Sequence, residues 1–408
     1  TLDYLENSEL YQRRFPTDCL VTGYDIIFFW VSRMIFQSLE MTHKAPFKNC
    51  VIHGLIRDEK GRKMSKSLGN GVDPIDVINQ YGADALRYFI TTNSTPGQDA
   101  RYSDEKVASG ANYLNKIWNS ARYVLSVLPE NFLEEEINTK SLSNLDKWIL
   151  NRMNITIRNV TNNMEKYDFN AASSHLYNFV YDDFCSQYLE MSKVALQSGD
   201  IAKMNNTYQV LNLCLKNIIL LIYPYTPFIA EELYQNLPNH LESVMLETYP
   251  KENKEFDSEV QEKEINCLFE LIREIRNYKI SNKLAPNAKL DISIKLKIAV
   301  SSDFKTYLDR FTFSDVVLLQ KDEKVPSGEL FSFDNTDLVI VNNVNKEEVI
   351  KKLQGDIAKE RSEIMRGENM LNNPNFVNKA PKENTSIAGV SPLPGSVSPT
   401  SNNRSGAK

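Results

Sequence analysis

The stretch "CLVTGYDIIFFWVSRMIF" (residues 19–36) decides how the first part of the chain is read. "CLVTGYD" predicts a short buried strand that ends in a glycine turn at Gly23. "IIFFWVSRMIF" predicts the helix that follows it. "NCVIHGLI" (49–56) then predicts a second buried strand. Strand, helix and strand in this order point to a parallel α/β unit, in which ligands meet the carboxyl ends of the strands.

Directly behind that second strand stands "GRKMSKSLGN" (61–70), with the cations Arg62, Lys63 and Lys66 set among two glycines and two serines. A clean helix start follows. Asp73 is placed to cap, Pro74 takes the first helical position and Gly82 provides the stop. "ADALRYFI" (83–90) predicts the next helix. Lysine and serine in a mobile loop beside strand ends suit a phosphate-rich ligand, because each ammonium is a flexible point charge with three donors. Phosphoryl and nucleotidyl transfer need charge neutralised as the leaving group departs. A loop that closes at that moment favours the transition state over the ground state. On charge alone, a solvated surface loop and a basic localisation tract fit the same pattern.

The remaining text sets the frame. The chain has 408 residues, 42% hydrophobic and 25% charged, which suits two or three globular domains. A formal net charge of -6 argues against a general polyanion binder while leaving room for a local basic site. Five scattered cysteines (19, 50, 185, 214 and 267), without a C-x-x-C pair or zinc-ligand spacing, read as reduced thiols of a cytoplasmic protein. "TLDYLENSEL" is polar and acidic, unlike a signal peptide. "IIFFWV" and "IILLIY" are far too short to span a bilayer, so no membrane partner is expected. The chain opens on Thr1 rather than Met, which suggests a fragment.

From about 111 to 236 the pattern is helical, with core stripes at Leu114, Ile117, Trp118, Ala121, Leu125 and Leu128. A second stripe runs through Leu176, Val180, Phe184, Tyr188 and Met191, and a third through Tyr208, Leu211, Leu215, Ile218 and Ile222. These predict a helical bundle. A long amphipathic helix around 258–280 precedes "LDISIKLKI" (290–298), whose alternation reads as a half-buried strand, and "DLVIVN" (337–342) is a second strand candidate. Together they predict a small α+β module. Asn345 and Glu348 form a capping-box pattern, and Ile350, Ile357, Ile364 and Leu371 repeat every seven residues as a weak coiled-coil seam. Beyond Pro381 the composition predicts a disordered tail.

The full string "KMSKS" followed by "LGN", after "HG" on a strand, resembles the signature of the class I aminoacyl-tRNA synthetases. "GYDIIFFWVSRM" (23–34) and "GADALRY" (82–88) stand at fitting distances on either side. "NKIWNSARYVL" (115–125), "YPYTPFIAEELY" (223–234) and "NPNFVNKAPKE" (373–383) look like the valyl-tRNA synthetase family in particular, and the likeness runs with gaps from about residue 16 to 383. The resemblance implies a multidomain α/β plus α chain. Residues 1–72 would be the second half of a Rossmann-like catalytic domain with its lysine loop, and 73–110 a connecting helical segment. Residues 111–254 would be the helical anticodon-binding domain, 255–344 the α+β module, 345–383 a truncated coiled-coil arm and 384–408 the disordered tail.

For function the resemblance implies a valine–tRNA ligase, which activates valine with ATP and transfers it to tRNA(Val). Lys63 and Lys66 would hold the triphosphate and the departing pyrophosphate, supported by Ser65 and Ser67 and anchored by Met64. Gly23 would let the nucleotide approach, Asp25 would accept from ribose hydroxyls, and His53 and Gly54 would border the adenine. Trp30 would line the valine pocket. Mg²⁺ would accompany ATP, with no dedicated protein metal site. On "LIREIRNYKISNK" (271–283), Arg273, Arg276, Lys279 and Lys283 are spaced to share a helix side that tracks a tRNA backbone. The family's enzymes are expected to be monomers.

Two features depart from the family pattern. The His-x-Gly-His motif of the first catalytic half is missing, and that half, with an inserted editing domain, is expected to lie before Thr1. The family's arm has two helices; here the second is expected to stop at about "NKAPKE" (378–383), where a polar tail replaces it. The chain taken alone therefore also fits a non-catalytic tRNA-binding fragment or half of a split enzyme. An isoleucyl relative is a third reading.

Overall fold

The computed structural model describes residues 6–93, 95–320, 323–341 and 346–371. The segment that carries the cationic loop begins with α1 (Glu9–Arg14) and β1 (Thr17–Gly23). A 3₁₀ turn (Tyr24–Ile26), a π turn (Ile27–Val31) and α2 (Ser32–Thr42) then return the chain to β2 (Phe47–His53). The two strands pair in parallel from Thr17↔Phe47 to Gly23↔His53, so the glycine and the histidine end their strands at one level. The predicted order of strand, helix and strand is present. Deep burial of the strands is not: Val21 is exposed and most of β2 only half-buried, because this sheet pairs two strands among the described residues.

A short parallel pair, β3 (Ile56–Arg57) and β4 (Ala100–Arg101), brackets the loop and two helices, α3 (Pro74–Tyr81) and α4 (Ala83–Thr92). Asp73 caps α3 by accepting from the Ile75 amide, with Pro74 in the first turn, and Gly82 ends the helix with φ +91°. Only glycine takes that backbone region without strain.

The bundle comprises α5 (Asp104–Val127), α6 (Asn144–Glu165), α7 (Phe169–Asn178), a π segment (Phe179–Tyr188), α8 (Leu189–Leu196), α9 (Ile201–Ile222) and α10 (Pro227–Tyr234). Its core is dense with large side chains, among them Trp148, Phe179, Phe184 and Tyr188. The stripe through Leu176, Val180, Phe184, Tyr188 and Met191 is wholly buried. The α5 stripe is rotated from its predicted position. Tyr113, Leu114, Ile117, Ala121 and Val124 face the core, while Trp118 and Leu125 are half-buried.

Helix α5 runs through position 111 without a break, and α4, in the connecting helical segment, is tied to a later helix. The Asp84 carboxylate on α4 accepts from the Phe228 and Ile229 amides at the start of α10, and Arg87 reaches the Pro224 carbonyl. Helix α11 (Glu259–Ser281) also packs on the bundle. It meets the bundle through Trp148–Phe269 ring contact and through Glu262, which takes bonds from Asn151 and Arg152.

The α+β module contains β5 (Asp291–Leu296), α12 (Phe304–Thr312), β6 (Asp315–Leu319), β7 (Glu329–Ser332) and β8 (Thr336–Val341), in the sheet order β6-β5-β8-β7. β5 and β6 are parallel, and Leu290, Ile292 and Ile294 point into the core as their alternation predicts. β6, β7 and α12 were not anticipated; "DVVLL" lacks alternation and "ELFS" is too short to show a period.

A second compact unit contains α13 (Lys346–Leu371), in which Ile357 and Ile364 are exposed. The capping Asn345, the side chains of Ile350 and Leu371, "NPNFVNKAPKE" and the tail beyond Pro381 lie outside the described residues. All five cysteines are free thiols, and among the described residues no helix is long and apolar enough to cross a membrane.

Candidate functional site

The ends of β1 and β2 bring the predicted nucleotide residues together. Gly23 is buried, and a Cβ on it would lie 2.9 Å from Asp25 Oδ1 and 3.6 Å from the His53 ring. Without a side chain, the strand end leaves that space open. Gly54 answers a harder constraint. A Cβ there would fall 1.8 Å from the Gln98 carbonyl oxygen, so the backbone of 97–99 passes directly against it. His53 is half-buried, with Nδ1 2.7 Å from the Gly54 carbonyl.

Asp25 lies on the 3₁₀ turn just beyond β1. Its Oδ2 stands 3.3 Å from Lys63 Nζ, so the first lysine of the loop and the carboxylate of the strand end form an ion pair across 38 residues of sequence. Both groups remain partly open to solvent, at 64% and 32% of side-chain surface, so the pair is exchangeable rather than a locked structural bridge. Lys66 is exposed and has no ion-pair partner among the described residues. Ser65 caps the one-turn 3₁₀ helix Lys66–Leu68 through the Leu68 amide, and its hydroxyl lies 3.1 Å from that of Ser67. Met64 is half-buried.

Residues that the sequence reading passed over hold this loop. Asp58, 7% exposed, accepts from the Arg62 amide and from Arg62 Nε, both at 2.7 Å, and from Asn70 Nδ2 at 2.9 Å. The Asn70 amide, followed by Arg62, draws the Asp58 carboxyl down to about 2, so it stays ionised at neutral pH. Asp99 accepts from the Leu55 amide, Arg57 Nε and the Tyr24 hydroxyl, tying the turn before Asp25 to β3. A carboxylate just ahead of the cationic run and an asparagine just after it were the available signals; neither marks a site without the fold.

A cleft of about 480 Å³ beside the loop is lined by the carboxylates of Asp58, Glu59, Asp73, Asp76 and Asp104 and by the cations Lys60 and Arg62, so its charge is mixed with an acidic excess. Among the described residues no cluster of three His, Cys, Asp or Glu is placed to hold a metal ion.

Trp30 lies on the π turn, 44% exposed, next to the more exposed Phe28 and Phe29. The predicted cationic stripe on α11 breaks up. Arg273 is exposed, and Arg276 is exposed but donates to the Phe311 carbonyl. Lys279 is 2% exposed and buries its ammonium against the Pro286 and Thr312 carbonyls, where burial lowers its pKa. Lys283 lies past the helix end with φ +52°. A three-residue spacing falls short of the 3.6-residue turn, so the stripe drifts around the helix into its packed side.

Residues 1–103 match the tRNA synthetases of class I (I, L, M and V), and residues 146–294 match the anticodon-binding domain of tRNA ligase. Strand-end site, lysine loop and following bundle occur here in the order of those two matches, and the chain belongs to the class I tRNA synthetases. Within that class its sequence is similar to valine–tRNA ligases. That of Geobacillus stearothermophilus is 44% identical over 378 residues, 91% of this chain and 43% of the relative. That of Staphylococcus carnosus is 43% identical over 384 residues, 92% of this chain and 44% of the relative. The chain thus spans less than half the length of the curated relatives it matches. In fold, 62% of the chain superposes on 30% of the LeuRS of Agrobacterium radiobacter K84 in its complex with tRNA and LeuAMS, with TM-score 0.52 and 23% identity.

Proposed function

We propose that this chain is the nucleotide-loop and tRNA-binding part of a valine–tRNA ligase. The observation that carries the reading is the meeting of Lys63 with Asp25 at the carboxyl ends of parallel strands. In the resting pair each group holds the place of a substrate group. ATP binding exchanges the partners: ribose hydroxyls go to Asp25 and phosphate oxygens to Lys63. Lys66, on its short turn, joins Lys63 as pyrophosphate leaves and valyl-adenylate forms. Mg²⁺ enters with the phosphates of ATP, Gly23 and Gly54 leave room for the nucleotide, and His53 borders the base. Ser65 and Ser67 shape the loop and Met64 anchors it. Trp30 lines the amino-acid pocket once further polypeptide covers its exposed face.

The bundle from α5 to α11 is the surface for tRNA(Val), with Arg273, Arg276 and Lys283 as its phosphate contacts on α11. Lys279 is withdrawn from that set because its charge is spent on backbone carbonyls. The six-part division of the chain is retained, with the bundle beginning at Asp104 and α11 shared with the α+β module. The single helix α13, with Ile357 and Ile364 exposed, fits one strand of a coiled-coil arm.

The test is ATP–pyrophosphate exchange by a protein of the relatives' full length that carries this sequence, with valine, isoleucine and leucine in turn, followed by charging of tRNA. Exchange is expected with valine in clear excess. Preference for isoleucine, or exchange with none of the three, overturns the reading. The 408 residues alone are expected to bind tRNA in a salt-sensitive way and not to charge it, because the exposed face of Phe28, Phe29 and Trp30 leaves the amino-acid side of the site open.

A further inference from the structure

The lysine loop faces two opposing demands. It must move to follow a departing polyanion, yet it must present Lys63 and Lys66 in a set relation to Asp25. Glycine and serine serve the first demand. The second needs a restraint inside the loop, and one side chain supplies it.

Asn70 stands just past the loop and reaches back across it. Its Oδ1 accepts from the Ser65 amide at 3.0 Å, and its Nδ2 donates to the Lys63 carbonyl at 3.3 Å and to Asp58 Oδ2 at 2.9 Å. The chemistry of the partners fixes which end is which: the Ser65 N–H requires an acceptor, and the carboxylate and carbonyl require a donor. The amide therefore grips the backbone on both sides of Met64. On the far side, Lys63 bridges Arg57 in antiparallel fashion, and the Arg62 amide is held by Asp58. The turn at 58–62 is closed by the Gly61 amide on the Asp58 carbonyl and by the Asp58 amide on the Arg62 carbonyl. Loop entry and loop exit thus converge on the Asp58–Asn70 contact. Ser65 also caps the turn that carries Lys66, so the direction of the second lysine depends on the same grip.

We infer that Asn70, seated on Asp58, is a positioning residue that sets both lysines of the loop for the activation step; this rests on the ligase reading above. It touches neither nucleotide nor amino acid and acts through the Lys63 and Ser65 peptides. No other common side chain does the same work at this reach. Aspartate lacks the donor, leucine lacks both functions, and glutamine carries the amide one methylene too far. The contact is charge-assisted and mostly shielded from water, which strengthens it relative to a surface hydrogen bond.

The experiment compares Asn70→Ala, Asn70→Gln, Asp58→Ala and the double variant Asp58→Ala/Asn70→Ala, in a protein of the relatives' full length that carries this sequence. Readouts are valine-dependent ATP–pyrophosphate exchange, thermal midpoint, and hydrogen exchange of the Ser65 amide. For Asn70→Ala the expected result is a drop in kcat of roughly 10- to 100-fold, the scale of one lost aligned donor. The KM for valine stays within about twofold and the thermal midpoint within the few degrees typical of a surface change. Ser65 loses protection. Asn70→Gln regains part of the rate, and the double variant loses less than the product of the single losses because both remove one link. An Asn70→Ala protein with unchanged kcat overturns the inference, whether or not Ser65 loses protection. A loss confined to the thermal midpoint or to the KM for valine overturns it equally. Should the unaltered protein show no valine-dependent exchange, the ligase reading fails by itself. The grip of Asn70 on the loop is then judged by Ser65 protection, which a structural Asn70→Ala effect must still abolish.

Discussion

The α/β segment and the helical bundle use similar amounts of apolar side chain to opposite effect. In the segment from Val21 to Met41 the large residues Phe28, Phe29, Trp30 and Phe36 lie open to solvent. In the bundle Trp148, Phe179, Phe184 and Tyr188 are sealed. A helix packed by neighbours on several sides closes its own core, whereas a two-stranded sheet with one helix has faces to spare. The segment that carries the lysine loop is thus the less self-sufficient one, and the bundle is the frame it leans on. The joint between them is specific: Asp84 on α4 stands at the start of α10, supplying the cap that Thr226 does not.

The sharpest way to break this comparison is a matched pair of truncations. Leu211→Ala, at a fully buried bundle position, is expected to lower unfolding free energy by about 2–5 kcal/mol in urea titrations. Phe28→Ala, at a position 75% exposed, is expected to stay within about 0.5 kcal/mol. Equal costs would mean that the segment has a closed core after all.

A second contrast separates rate from stability. Lys66→Ala in a protein of full relative length is expected to slow pre-steady-state adenylate formation about a hundredfold while leaving the unfolding curve in place. Normal activation kinetics would remove Lys66 from the reaction.

The joint gives a smaller effect. Asp84→Ala leaves two amides of α10 without their acceptor and is expected to cost about 1–2 kcal/mol, the usual scale for a lost helix cap. Asp84→Asn, which keeps an acceptor of the same shape, is expected to recover part of this. Identical losses in the two variants would show that α4 docks by packing alone.

The smallest expected effect is local and depends on pH. The Asp58 carboxyl is held below its ordinary value of 3.8, at about 2. Its hold on the loop is therefore complete above a pH of about 4 and is lost as pH falls toward about 2. Carboxyl titration by NMR is expected to place Asp58 near 2 and to move it upward in Asn70→Ala. A midpoint near 3.8 in the unaltered chain would remove Asn70 as the dominant partner.

Much of this was legible in the order of residues. Strand, glycine, helix and strand followed by a lysine loop define the parallel unit, because strand alternation, helix periodicity and turn chemistry are local properties of the chain. Asp73, Pro74 and Gly82 mark α3 for the same reason. The bundle stripes were legible where helix spacing is regular and blurred on α5, where the buried face is chosen by what packs against it. The α11 cations show the limit most clearly. Four basic residues look alike in a string, yet Lys279 ends in the interior, held by carbonyls from a loop and from α12. Lys63 meeting Asp25, Gly54 making way for the backbone at Gln98, Asp84 capping a helix far along the chain, and Asn70 spanning its loop were settled by tertiary structure alone. The first three depend on distant stretches arriving at one place, and sequence distance carries no record of spatial distance until the fold brings them together; the Asn70 grip is local, but its partners are chosen by how the loop turns back on itself.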